Sequence, residues 1–256
     1  MIDKKIISQR FTKALLSYDT EAIVQKKIIE KLIDYIKQEK LQNINKILEI
    51  GCGTGLLSKK IINLFAPDTI YLNDICQEID VCFKDYLTNN SSSSNSIKFL
   101  LGDAEQIIFP NNIDLLISSS TVQWFEDFEN FIKKTTFALN KNKYLVFSTF
   151  GEDNLKEIKY ITGRGLKYYS KENIEHIVSK YYKIRLIQEE LNVLFFNSPK
   201  EVLLHLKKTG VAAIQNNTFW NKNNLDMFTK SYIENFKHEN KIMLTYHPIY
   251  VIAEKI

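Results

Sequence analysis

Cysteine is scarce in this 256-residue chain. There are three, Cys52, Cys76 and Cys82, an odd number without the paired spacing of a metal site. They cannot form a disulfide framework and are expected to be reduced thiols in a cytosolic protein. No apolar run approaches the ~18 residues of a membrane span. The opening "MIDKKIISQRF" has no apolar core of the kind a secretory signal carries, so a cytoplasmic protein without a membrane partner is expected. The net charge of +4 comes without any block of Lys and Arg, which argues against a nucleic-acid tail and leaves an acidic protein partner open. Histidine is also sparse. His176, His205, His238 and His247 are scattered, and no His/Asp or Cys/His arrangement suggests a general base or a metal site.

What is present describes an ordinary globular chain. With 45% hydrophobic and 25% charged residues, it has material for one large domain with an α/β core. From about Ser8 to Glu39 the apolar residues Ile23, Ile28, Ile29, Leu32, Ile33 and Ile36 recur at helical spacing and predict helix. Short β-rich runs then alternate with helical stretches: 46–50, 69–74, 97–103, 114–119 and 143–150. The first four lack polar alternation, as strands buried on both faces do. This order predicts a parallel sheet covered by helices. "SSSSNS" (91–96) reads as a surface loop. Further on, 183–196 and 243–256 are long strand candidates, the second interrupted by Pro248, which marks an edge, a bulge or a strand start. Between them Ser198 reads as an N-cap, Pro199 as N1 and Glu201 as the partner in a capping box, with Gly210 after the helix. A second insert helix is expected over about 224–236.

The chemistry concentrates after the first strand. In a parallel α/β sheet, ligands bind beyond the carboxyl ends of the strands. Gly51, Gly53, Thr54 and Gly55 occupy that edge in "LEIGCGTG". A dinucleotide site would carry G-x-G-x-x-G. Here the third glycine comes one position early, Leu56 stands where it belongs, and Glu49 precedes the loop. A carboxylate there suits a ligand with an amino group and a sulfonium better than a pyrophosphate. Asp74, at the end of the second strand, is placed to accept from ribose hydroxyls, with a helix cap as the alternative.

These residues resemble class I S-adenosylmethionine-dependent methyltransferases. The resemblance implies a Rossmann-like fold: a mostly parallel seven-stranded sheet with one antiparallel strand and helices on both faces. It implies S-adenosylmethionine as cofactor, with the loop backbone at its methionine part. Ile75 would lie against the adenine, Asp103 would accept from the adenine amino group with Ala104 beside it, and Ser119 would close the pocket.

Segments outside the cofactor half carry a finer resemblance. "SQRFTKALLSYDTEAIVQ" (8–25), "SSSTVQWFEDF" (118–128), "LVFSTFGEDNLKEI" (145–158), "LKKTGVAAI" (206–214) and "LTYHPIYVIA" (244–253) resemble the biotin-pathway malonyl-[acyl-carrier-protein] O-methyltransferase family. That implies methyl transfer to the free carboxylate of malonyl held on an acyl carrier protein or on coenzyme A. It implies one methyltransferase domain over 1–256, with a helical lid (1–40), core (41–196), helical cap (197–242) and final strand (243–256). Tyr18 would stand near the donor methyl, and Gln123 and Trp124 would reach the cavity. Arg164, with Lys167 as the alternative, would clamp the carboxylate. A malonyl carboxylate is ionised at pH 7 and needs no general base. The acidic carrier would dock on basic surface, for which Lys156, Lys159, Lys207 and Lys208 are candidates. Two other classes stay open: a methyltransferase for another small carboxylate or a quinone-type ring, and a non-catalytic cofactor-binding assembly protein.

Overall fold

Beta-rich runs flanked by amphipathic helices assemble here as a layered α/β structure. The computed structural model describes residues 4–89, 96–209 and 222–256, and within these not the side chains of residues 13–19, 85 and 89. Tyr18, most of the 91–96 stretch, Gly210 and residues 211–214 therefore fall outside the described side chains or residues.

The chain begins with two helices, α1 (Lys4–Glu21) and α2 (Ile23–Gln38). The continuous helix expected from the sequence breaks at Ala22, where ψ is +49°. Then come β1 (Lys46–Ile50), α3 (Leu56–Phe65), β2 (Thr69–Asp74), α4 (Ile79–Asn89), β3 (Ser96–Leu101) and β4 (Ile113–Ser119). A 3-10 turn over Val122–Trp124 leads to α5 (Phe128–Ala138), β5 (Leu139–Phe150), α6 (Lys156–Thr162), α7 (Lys171–Ser179) and β6 (Tyr182–Glu189). The remainder is β7 (Asn192–Phe196), α8 (Pro199–Lys208), α9 (Lys222–Phe236), β8 (Lys237–His238), β9 (Lys241–Tyr246) and β10 (Pro248–Lys255).

Seven strands form the main sheet in the order β3-β2-β1-β4-β5-β10-β6, with β10 the antiparallel member. Strand order reverses between β1 and β4, so the crevice at their carboxyl ends is the switch point. Alternate residues of β1 serve opposite faces. Ile47 packs with Leu115, Val146 and Ile252 under Ile28, Leu32 and Ile36 of α2. Leu48 packs with Leu116, Leu145 and Phe147 against Phe128, Phe131 and Ile132 of α5. Burying each such Leu or Ile is worth about 1.5–3 kcal/mol, and this fixes both helix layers on the sheet and hence the position of the β1 loop.

Four expectations need correction. β3 is an edge strand and only partly buried, so its apolar run does not mean burial on both faces. The stretch 183–196 is two strands: β6 stays in the main sheet and β7 leaves it. The stretch 243–256 is likewise β9 and β10, and Pro248 is the first residue of β10. β7, β9 and β8 make a separate three-stranded sheet, in that order. In α8, Ser198 does cap the helix by accepting from the Glu201 N–H, but the Glu201 carboxylate reaches back to the Asn197 N–H at 2.9 Å and so misses the reciprocal bond of a capping box. Among the described residues, no helix is long and apolar enough to cross a membrane.

Candidate active site at the carboxyl edge

The glycine loop owes its shape to what surrounds it. Gly51 has φ +70°, and a Cβ there would stand 2.1 Å from Thr121 Oγ1; Gly55, the residue before α3, has φ +81° and faces the Phe83 ring at 2.6 Å. Any side chain would collide at both positions, so glycine is required sterically as well as conformationally. Gly53 differs. Its φ is +52°, and the space where a Cβ would point is open, so a ligand can come close to the backbone.

The ends of three strands are tied together at this edge. The Gly51 and Cys52 N–H groups both donate to the Asn73 carbonyl, at 2.8 and 2.9 Å. The Asn73 side-chain amide donates to the Leu100 and Gly102 carbonyls. Asp74 accepts from the Gly53 N–H at 2.9 Å and from the Cys76 N–H at 2.8 Å. It thus braces the loop and makes a short Asx turn, and each of its oxygens keeps capacity for a second acceptor bond. Its pKa is raised by burial, against the pull of these backbone donors. Asn73 was missed as a site residue by sequence reasoning, because its role is to join strands.

A cavity opens beyond these ends, lined by Gly53, Thr54, Asp74, Ile75, Asp103 and Ala104 among others. Trp124 and Ser119 also line it. Ser119 Oγ shares a hydrogen bond with Ser148 Oγ at 3.0 Å. Trp124 is buried and meets Phe11 of α1 edge-on at 6.3 Å between ring centres. Ala104 is held in place by Lys134, whose ammonium donates to the Ala104, Glu105 and Ile107 carbonyls. Asp103 does not wait unpaired. Lys4 of α1 donates to both its carboxylate oxygens, at 2.9 and 2.7 Å, and to Glu105. Nothing in local sequence links Lys4 to Asp103, so this contact was not anticipated.

A smaller compartment also borders the glycine loop. It shares Gly51, Gly53, Thr54, Ser119 and Ser120 with the first and adds Glu49 and Gln25. Glu49, next to the end of β1, is buried and its Oε2 has no partner. Burial pushes its pKa up to about 8, and the Asp74 charge raises it further. The buried side-chain atoms without a hydrogen bond among the described residues are those of Gln25, Glu49, Ser58, Ser120, Gln123 and Trp124. All six surround the glycine loop and the turn after β4. Orphaned buried polar atoms are costly and rare, so their concentration here marks a site built for a polar ligand.

A third cavity is lined by Gln123, Thr149, Phe150, Lys167, Tyr168 and Tyr169, among others. Gln123 donates through Nε2 to the Ser120 carbonyl, which leaves Oε1 orphaned. Ser120 has φ +54°, a strained position for a residue with a Cβ, and this turns the chain into the 3-10 segment that presents Gln123 and Trp124. The structure brings Lys167 to Gln123 in this cavity. Arg164 stands exposed on the loop after α6, its backbone tied to Thr162. His247, set between β9 and β10, accepts from the Asp153 N–H and pairs with Glu189.

Comparison with known proteins agrees with this geometry. A family model described as "Methyltransferase domain" matches residues 48–147. The chain is 38% identical to the malonyl-[acyl-carrier protein] O-methyltransferase of Bacteroides thetaiotaomicron, over 99% of each chain. It is 35% identical to the protein of the same name from Acinetobacter baylyi, over 99% of this chain and 98% of the relative. Among solved structures, the YcgJ protein of Bacillus subtilis superposes with a TM-score of 0.62 at 12% identity, covering 88% of this chain and 98% of that one, a likeness of fold.

Proposed function

Because the chain belongs to the malonyl-[acyl-carrier protein] O-methyltransferase family, we propose that it transfers a methyl group from S-adenosylmethionine to the free carboxylate of malonyl on an acyl carrier protein. The acceptor assignment is carried by the extent of the likeness. It runs over 99% of both chains and so includes α1, the turn after β4 and the cap, which lie outside the cofactor half. The product, a methyl ester, hides a charge and leaves a chain that fatty-acid enzymes can extend, and we place this reaction at the start of pimeloyl synthesis for biotin, in the cytoplasm.

The residues present fit the cofactor. The orphaned Glu49 carboxylate calls for a cationic donor, and open space at Gly53 admits a ligand against the backbone. Glu49 would hold the ammonium at the methionine end, and Gly51, Gly53, Thr54 and Gly55 would present their backbone there. Asp74 would accept from the ribose hydroxyls, Asp103 and Ala104 would meet the adenine edge, Ile75 its face, and Ser119 would close the floor. When bound, S-adenosylmethionine supplies an electrophilic methyl on a sulfonium.

The rest of the task falls to positioning. The malonyl carboxylate is already ionised at pH 7 and brings its own attacking lone pair, so no side chain has to remove a proton. Holding two reactants in line can lower a barrier by about 7–11 kcal/mol. Lys167 and Gln123 share a cavity and would hold the malonyl carboxylate there, with Arg164, which does not line it, as the alternative. Trp124 and the α1 segment carrying Tyr18 would cover the methyl and exclude water, which competes for it. In this reading α1 is a lid, α8 and α9 form the cap, and Lys207 at the exposed end of α8 helps dock the acidic carrier. The genetic test is complementation. Growth without biotin should return to a strain lacking its own malonyl-carrier methyltransferase, and no growth from a well-expressed chain would contradict the proposal.

A further inference from the structure

α2 is placed by its apolar stripe, and one member of that stripe does not belong to it chemically. The buried positions are Val24, Gln25, Ile28, Ile29, Leu32, Ile33 and Ile36. Gln25 is only 4% exposed, as buried as its aliphatic neighbours, yet its Oε1 has no hydrogen-bond partner. A stripe that serves packing alone is filled with aliphatic side chains, and a buried amide oxygen without a donor is costly.

The surroundings say what that oxygen waits for. Gln25 lines the smaller compartment at the glycine loop together with Glu49, whose Oε2 is equally buried and equally orphaned. Both atoms are acceptors facing one space. A single N–H would satisfy one of them; an ammonium carries three donors and can satisfy both while neutralising the carboxylate. Ser120 Oγ, also orphaned, borders the same space and can serve a carboxylate beside that ammonium. The arrangement is complementary to the α-amino acid end of a ligand.

We propose that Gln25 is a binding residue for the amino-acid end of S-adenosylmethionine, its amide oxygen accepting from the ligand ammonium next to Glu49. The inference rests on the reading of this cavity as the S-adenosylmethionine site and extends that site from the glycine loop to α2. Helix α2 then does two jobs from one face: Ile28, Leu32 and Ile36 seat it on the sheet, and the seating fixes Gln25 over the loop.

Calorimetric titration with two ligands tests this. S-adenosylhomocysteine carries the amino-acid end, and 5′-methylthioadenosine lacks it. In Gln25→Leu the affinity for S-adenosylhomocysteine should fall at least fivefold, while that for 5′-methylthioadenosine should stay within twofold. The melting temperature of the ligand-free variant should hold or rise, since an unpaired amide has been removed. Gln25→Met keeps length and packing and carries the same expectation should the leucine variant not fold. A smaller loss, or an equal loss for both ligands, overturns the role of Gln25. If the unaltered protein binds neither ligand, the underlying cofactor reading fails instead, and the two failures are distinct.

Discussion

Glu49 makes one carboxylate govern how the site responds to pH. Its pKa is about 8 in the empty fold, against 4.5 for an ordinary glutamate, and desolvation is the main cause. The unfolded chain ionises this group near pH 4.5 and the folded chain only near 8. Its contribution to stability is therefore fully present below pH 4.5 and lost as pH rises towards 8. Asp74, also raised by burial, adds in the same direction. Binding a ligand ammonium requires the ionised form, so S-adenosylhomocysteine binding at pH 7 should release up to about one proton. Calorimetry in buffers of different ionisation enthalpy should show this release, and Glu49→Gln should abolish it. Absence of release in the unaltered protein would mean that Glu49 stays neutral beneath the ligand.

The acceptor side offers a second prediction at this scale. Lys167→Ala should raise KM for the malonyl thioester at least tenfold, the ~1.4 kcal/mol or more expected when a charge-assisted hydrogen bond is lost, with cofactor affinity unchanged. Arg164→Ala should have the smaller effect, and the reverse order would move the clamp to Arg164. That the glycine loop, Asp74 and Asp103 meet at one cavity was legible in the sequence, because their spacing after strands is local. Lys4 was not, since it meets Asp103 across 99 positions, and Gln25 sat unremarked in an apolar helix stripe.

At the scale of elements, α1 reaches the site through contacts spread along its length. Its described attachments include Lys4 on Asp103 and Glu105, Ser8 on the Ile75 carbonyl, Thr12 against Cys76, Phe11 on Trp124, and Glu21 paired with Lys208 of α8. The Lys4 pairs are partly exposed, and such pairs are worth up to about 1 kcal/mol. Lys4→Met should speed chymotryptic cleavage at Phe11 by up to about fivefold with little change in melting temperature, and high salt should move the unaltered protein the same way. Unchanged cleavage would show that the Lys4 pairs do not hold α1 in place. Elements with a clean apolar period were legible: β1 and β2 fall where their runs lie. The break between β6 and β7 was hidden, because the strand-like run continues through Glu190 and Leu191 while the backbone changes sheets. The break at Ala22 was hidden for the same reason, helix-forming residues lying on both sides.

For the whole molecule, the β-α-β order made a parallel sheet readable, and the resemblance supplied the antiparallel β10. The three-stranded sheet was not readable, because β7 and β9 pair across some fifty residues, as in Val193 with Thr245. That sheet joins the core through Ile242, Leu244 and Tyr246 of β9, which share an apolar cluster with Ile47 and Val146, and through a buried carboxylate: Glu157 of α6 accepts from the Thr245 N–H at 3.0 Å and from its hydroxyl at 2.5 Å. Phe150, which lines the third cavity, meets Tyr246 of β9 at 6.1 Å between ring centres, so the small sheet abuts the cavity where the acceptor is expected to enter. The central claim is methyl transfer to a malonyl carboxylate on a carrier protein, and its most direct test is intact-mass analysis of malonyl-acyl carrier protein incubated with the purified enzyme and S-adenosylmethionine. The account predicts a carrier heavier by one methylene unit, with the added methyl released by mild alkaline hydrolysis of an ester. A carrier of unchanged mass, from an enzyme that binds the methyl donor or methylates some other small acid, would contradict it.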